Sequence, residues 1–146
     1  MFSRIRNFFK EHEELRHLAY HDSLTGLLNR NWLYKNIDKI KFRYFYVYFI
    51  DINDLHEVNK EGHTIGDDYI KSVVRKIHIF SSVDDIFIRY GGDEFILLSR
   101  DKNKLRSEER YAVGSSKIDN GEIMMSIISA DKNMMKNKKL FKSNVL

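Results

Sequence analysis

Between residues 2 and 20 the apolar positions Phe2, Ile5, Phe8, Phe9, Leu15 and Leu18 recur at loose helical spacing with charges between them. That pattern predicts an amphipathic helix. HDSLTGLLNR then interrupts it: Gly26 suits a helix end, and Asn29 suits the N-cap of a second helix over about 30–40, with Trp32, Leu33, Ile37 and Ile40 on one side. RYFYVYFID, 43–51, is aromatic and β-branched almost throughout, which predicts a central strand covered on both faces and ending in a carboxylate. INDLHEVNKEGH reads as a polar connection. From Thr64, a suitable N-cap, to Phe80, the set Ile65, Ile70, Val73, Val74, Ile77 and Phe80 follows helical period, with Asp67 in the first turn.

DIFIRY and EFILLSR, joined through Gly91-Gly92-Asp93, predict a hairpin. DKNKLRSEER is a short polar link, YAVGSSKI a further strand and DNG (119–121) a turn. Met124, Ile127, Ile128, Met134 and Met135 mark a last helix from Glu122 to about Phe141, with Met134 and Met135 as packing residues. There are no internal repeats. Strand, helix, hairpin, connection, strand is the β-α-β-β-(α)-β order of a ferredoxin-like, palm-type α/β (α+β) sheet. In that topology the end of the first strand and the hairpin turn meet, so Asp51 and Asp93 become neighbours.

Composition narrows the class. A chain of 146 residues, 42% apolar and 32% charged, reads as one soluble domain with a real core. No apolar run is long enough to span a bilayer, and the first fifteen residues lack a secretory apolar stretch, so the expected location is cytoplasmic. The chain has no cysteine, which excludes disulfides and thiolate metal sites. The net charge of +4 is concentrated late, in Lys132, Lys136, Lys138, Lys139 and Lys142. Such a segment suits a polyanion such as a nucleotide triphosphate, and equally reads as a solvated helix face. No nucleic-acid recognition motif accompanies it.

RYGGDEFILL, 89–98, sets the chemical question. A hairpin uses glycine, but it has no need of adjacent acids. Carboxylates held close together repel unless a cation lies between them, and hard oxygen donors select Mg2+ or Mn2+, ions that usually hold substrate phosphates too. Gly91 and Gly92 carry no Cβ, so a ligand can lie on the backbone. Metal-assisted attack on a nucleotide phosphate fits these residues. A solvent-exposed turn whose acids add only solubility fits the bare motif as well. His63 reads as a loop organiser, since no second histidine stands at ligand spacing.

RYGGDEF, together with HDSLTGLLNR, GHTIGD and ADKNMMKNKK, resembles the GGDEF family of diguanylate cyclases from about His21 to Lys142. The resemblance implies condensation of two GTP into cyclic di-GMP and two pyrophosphates, at a homodimer interface, with Mg2+ or Mn2+. It implies metal binding by Asp51, the Ile52 carbonyl, Asp93 and Glu94, with Asp93 helping to activate the attacking 3′-hydroxyl and Glu94 supporting the metal. It puts Gly91 and Gly92 against the nucleotide, the amides of Leu55 and His56 near its phosphates, and Asn59 and Asp67 on the guanine edge. Lys138 falls on the triphosphate, and Lys142 stands where the family usually has arginine, keeping the charge without the bidentate fork. On their own, Asp67 is equally a helix acid, Asn59 a loop residue and Lys138 a surface lysine.

The chain also departs from that pattern. Asp51-Ile52-Asn53 replaces the usual Asp-Ile-Asp, Leu55-His56 replaces phenylalanine-lysine, and NKEGH is one residue shorter than usual. Only Arg100–Glu109 remains where the family has a long helix, enough to cross at roughly 3.3 Å per residue but not to form that helix. The uncovered sheet face is expected to be closed by the N-terminal helix or a partner subunit. The inhibitory arginine-x-x-aspartate reads Ser82-Val83-Asp84-Asp85, keeping Asp85 and losing the arginine, so product inhibition there is expected to be lost. Residues 1–20 are assigned as a segment for dimerisation or a regulatory partner, and 21–146 as the catalytic domain, with control by concentration or partner. The alternatives are a domain that binds GTP or a partner without turnover, and a related cyclase using ATP or ATP plus GTP. Asp67 favours guanine, whose N1 and N2 donors adenine lacks.

Overall fold

The aromatic run folds as a central strand, β2 (Tyr46–Ile52), hydrogen-bonded on both sides. The computed structural model describes residues 1–144. The other elements are α1 (Phe2–Tyr20), β1 (Leu28–Asn29), α2 (Arg30–Ile40), α3 (Leu55–Lys60), α4 (His63–His78), β3 (Ile86–Arg89), β4 (Glu94–Ser99), β5 (Tyr111–Lys117) and α5 (Ile123–Asn144). The sheet order is β1-β3-β4-β2-β5, antiparallel throughout except for the short β1–β3 edge pair. Four of these strands have the expected ferredoxin-like arrangement, and β1 is added at one edge.

Because β2 is covered on both sides, its residues alternate between two cores rather than between core and solvent. Tyr48, Ile50 and Ile52 pack with Phe95, Leu97 and the α4 residues Ile70, Val73, Val74 and Ile77. Val47 and Phe49 pack with Ile96 and Leu98 under α2 and α5, through Leu33, Ile127, Ala130 and Met134. The helix α5 lies so close to β5 that a Cβ on Gly114 would overlap the Met134 amide nitrogen and the Ala130 carbonyl.

Several expectations are corrected. The stretch read as a polar connection contains α3, a helix too short to show an apolar period. Gly62, not Thr64, caps α4, and Asp67 lies just past its first turn. Gly26 turns the chain after α1 has already ended at Tyr20, whereas Asn29 does cap α2, accepting from the Trp32 amide at 3.0 Å. Ile65, Phe80, Ile128 and Met135 keep helical spacing but stay exposed.

The uncovered sheet face is not closed by the N-terminal helix, which buries no residue. The short link closes it instead. Leu105 is buried in the α4-side core, and burying a leucine is worth about 1.5–3 kcal/mol. The Tyr48 hydroxyl donates to the Asp101 carbonyl at 2.5 Å and accepts from the Lys104 amide at 3.1 Å. Ser107 Oγ accepts from the Val113 amide at 2.8 Å.

Gly114→Ala is expected to force α5 away from the sheet and destabilise the protein by about 1–3 kcal/mol, the usual cost of overpacking. Urea denaturation would measure the loss.

Candidate active site

Strand pairing assembles the acids. Asp51, the sixth residue of β2, lies directly opposite Glu94 at the start of β4. The Ile52 amide donates to the Asp93 carbonyl at 2.9 Å, fixing the end of β2 to the hairpin turn. Burial pushes the Asp51 carboxyl up; Asp93 adds to the rise, and the Lys138 ammonium opposes it. Burial also raises Glu94, and the charges of Asp93, Asp51 and Asp131 raise it further. Lys138 reaches from α5 and ion-pairs with Asp51. It is the only cation recorded on these acids at bonding distance among the described residues.

This donor set suits a hard divalent cation: oxygen ligands only, partly dehydrated, and electrostatically short of positive charge. Among the described residues, however, no three acidic or histidine side chains already converge on a single point.

The two glycines play different parts. Neither has positive φ, so backbone freedom does not explain them. A Cβ on Gly91 would come within 2.7 Å of Glu94 Oε2, whereas one on Gly92 would meet nothing within 4 Å. Gly91 thus leaves room for the Glu94 side chain, and Gly92 presents open backbone. Lys142, one helical turn beyond Lys138, is exposed and forms no ion pair among the described residues. Leu55 and His56 open α3 after Asp54, which is left-handed and offers no side-chain cap to their amides. Asn59 stands in α3 and Asp67 in α4, with only the Glu61–Gly62 turn between the two helices. Gly62, at φ 140°, supplies the conformation that other residues rarely adopt.

Asn53 is turned to the link: its Nδ2 donates to the carbonyls of Glu109 at 3.0 Å and Glu108 at 3.4 Å. An aspartate would face those oxygens with no donor, so the missing acid and the shortened link belong together. Ser82 and Asp85 are tied to each other and to Lys104. Asp85 Oδ2 accepts from the Ser82 amide at 2.7 Å and from Lys104 Nζ at 2.6 Å, with both ion-pair side chains under 10% exposed. Burial pushes Asp85 up, but these bonds, Lys104 first, outweigh it and hold the carboxyl below its ordinary value.

Sequence reasoning missed Arg89. Its guanidinium donates to both Asp22 oxygens at 3.0 Å and to the Gly92 carbonyl at 2.7 Å. Asp22 also accepts from the Thr25 amide and hydroxyl. The DSLTG turn and the GGDEF turn are thereby fastened together by one side chain. An arginine beside the signature and a lone acid in the second motif were the available signal. Arg30 was missed too; it bonds the Tyr34 hydroxyl at 2.6 Å and stacks 4.5 Å from the Tyr90 ring centre, beside the same turn.

The family profile described as "Diguanylate cyclase, GGDEF domain" matches residues 19–134. The chain belongs to the GGDEF family. Over 93 residues it is 31% identical to diguanylate cyclase DgcM of Escherichia coli strain K12, covering 59% of this chain and 23% of that protein. The chain spans less than a quarter of the length of the curated relatives it matches. In structure it is similar to the coiled coil and GGDEF domain of DgcB from Caulobacter crescentus, solved with c-di-GMP. The TM-score is 0.83 at 19% identity, covering 94% of this chain and 90% of that one. It is also similar to diguanylate cyclase SiaD of Pseudomonas aeruginosa, solved with its activator SiaC. That TM-score is 0.72 at 21% identity, covering 94% of this chain and 67% of that one. Lys138 and Lys142 lie beyond the profile match, so their assignment rests on position in α5. No helix among the described residues is long and apolar enough to cross a membrane.

Burial pushes Asp22 up, but its bonds to Thr25 and Arg89 hold the carboxyl below the ordinary value. A carboxylate lowered by folding stabilises fully above its unfolded value and loses that contribution as pH falls through the folded one. Asp22→Asn is expected to cost about 1.5–3 kcal/mol at pH 7, the worth of charged hydrogen bonds. The gap to wild type should close as pH drops below about 4, the ordinary aspartate range. Urea melts across pH measure both.

Proposed function

We propose that this chain is a diguanylate cyclase, condensing two GTP into cyclic di-GMP with release of two pyrophosphates. One observation carries the reading: Asp51 stands across the strand pair from Glu94 and beside Asp93, whose chain neighbour Gly92 presents open backbone. Family membership supports it. Each 3′-hydroxyl attacks the α-phosphate of the other nucleotide; the new ester bond forms as the bond to pyrophosphate breaks, and the hydroxyl proton leaves to a base. In this reading Asp93 orients that hydroxyl and takes its proton. Asp51, the Ile52 carbonyl, Asp93 and Glu94 are the residues that would hold Mg2+ or Mn2+. A bound divalent cation neutralises charge on the phosphate oxygens and the attacking oxygen. Lys138 offers its ammonium to the triphosphate once Asp51 is otherwise paired, and Lys142 adds charge further along α5. The amides of Leu55 and His56 face the phosphates, and Asn59 with Asp67 reads the guanine edge.

One domain holds one nucleotide, so turnover takes two protomers. In this reading residues 1–20 form the association segment and the remainder the catalytic domain, acting in the cytoplasm where GTP is available. Phe2, Phe8, Phe9, Leu15 and Leu18 on α1 are each more than 60% exposed, and the similar DgcB structure carries a coiled coil. SiaD, crystallised with an activator, supports a regulatory partner as well.

A second reading, nucleotide binding without turnover, is favoured by the Lys138–Asp51 pair and by the lack, among the described residues, of a converged ligand cluster. Incubation with GTP, ATP or both, in Mg2+ and then Mn2+, with products identified by mass spectrometry, separates the two. Cyclic di-GMP from GTP alone, at a rate rising faster than linearly with protein concentration, is expected. GTP binding with no dinucleotide from any mixture would establish the second reading. Asp93→Asn is expected to lower turnover about a hundredfold or more; an unchanged rate would remove Asp93 from the mechanism. With Lys104 on Asp85 and serine at 82, added cyclic di-GMP is expected to leave the maximal rate unchanged. A fall in that rate would show a working inhibitory site.

A further inference from the structure

A glycine inside a helix is unfavourable, and Gly66, in the second turn's approach of α4, is buried with ordinary negative φ. Backbone conformation therefore does not require it. What requires it is Asn59. A Cβ on Gly66 would overlap Asn59 Oδ1 and stand 2.9 Å from its Cγ, and the three atoms nearest to it outside α4's own backbone all belong to the Asn59 carboxamide, the last being Nδ2 at 3.7 Å. The Asn59 carboxamide thus lies on the bare face of α4, one residue from Asp67. It makes no side-chain hydrogen bond among the described residues, although the backbone carbonyl of Asn59 accepts from the Gly62 amide at 3.1 Å.

We propose that Gly66 is a specificity-determining residue: by carrying no side chain it seats the Asn59 carboxamide against α4 beside Asp67 and so sets the base-reading pair. This rests on the reading of Asn59 and Asp67 as guanine contacts. Gly66 touches no nucleotide; it acts through Asn59 and is a positioning residue. The shortened turn makes the contact matter more. Only Glu61 and Gly62 separate α3 from α4, so the backbone has little slack with which to re-aim Asn59, and side-chain rotation is the one cheap response to a methyl group at 66. Because only the tip of a flexible side chain is displaced, Gly66→Ala should fold, and alanine is the better helix former.

The experiment compares the full chain with Gly66→Ala, Asn59→Ala, the double variant and Asp67→Ala. It measures melting temperature and the affinities for GTP and ATP, each with Mg2+. If Gly66 seats Asn59, Gly66→Ala loses GTP affinity by about tenfold, the worth of one hydrogen bond. Asn59→Ala loses the same, the double variant loses no more than either, and ATP affinity does not change. In the Asn59→Ala background, where nothing remains to collide with, adding Gly66→Ala should hold or raise the melting temperature.

Wild-type GTP affinity in Gly66→Ala, with loss in Asn59→Ala and Asp67→Ala, would overturn the role of Gly66 and leave the base reading standing. Additive losses, or a Gly66→Ala variant that unfolds even beside Asn59→Ala, would overturn it too, since the glycine would then serve other packing. Unchanged GTP affinity in both Asn59→Ala and Asp67→Ala would remove the base reading itself, and the specificity role with it.

Discussion

Carboxylates that repel one another are the constraint from which much of this architecture follows. Pairing β2 with β4 in the observed register brings Asp51 opposite Glu94, beside Asp93, at a point where burial already disfavours charge. Lys138 brings positive charge to Asp51. That lysine reaches Asp51 only because α5 crosses close over β5 and β2, and the approach is close enough that position 114 admits no side chain. A glycine in a strand, a long terminal helix and a basic stretch late in the chain are thus parts of one electrostatic solution. Each looks unremarkable when read alone.

The shortened link between β4 and β5 has a comparable reach. In about ten residues it covers one sheet face with Leu105, satisfies the buried Tyr48 hydroxyl, pairs Asp85 with Lys104, and takes up the Asn53 amide. The departures at Asn53 and around Asp85 lie far apart along the chain, yet the same segment accommodates both. This sheet face is closed by local hydrogen bonding and one buried apolar side chain of the link, not by the N-terminal helix.

Much of this was legible beforehand, for identifiable reasons. β2, β3, β4 and β5 announce themselves through aromatic and β-branched runs, and α2 and α4 through periodic apolar positions, because both patterns follow directly from burial on a sheet or helix face. The neighbourhood of Asp51 and Asp93 followed from topology alone. By contrast, α3 has six residues and β1 two, too few for any period to appear, and Gly62 caps α4 through backbone conformation rather than a side-chain oxygen. The Arg89 bridge to Asp22 and Gly92, and the contact between Asn59 and Gly66, depend on where segments meet in space. Sequence offers a charged candidate at each end of the first and nothing that points to the second. Motif resemblance proposed ligands within these segments without revealing that Arg89 fastens two of them together.

The helix α1 has nineteen residues and buries none of them. An isolated helix of that length is marginal in water, since nucleation is costly and its own hydrogen bonds return little. If its apolar side is covered only in an assembly, then coil-to-helix conversion and self-association are a single linked equilibrium. The measured association constant would contain a folding free energy, and warming would weaken it through the helix–coil part. A chain arranged this way would have its association set by temperature as well as by its own abundance.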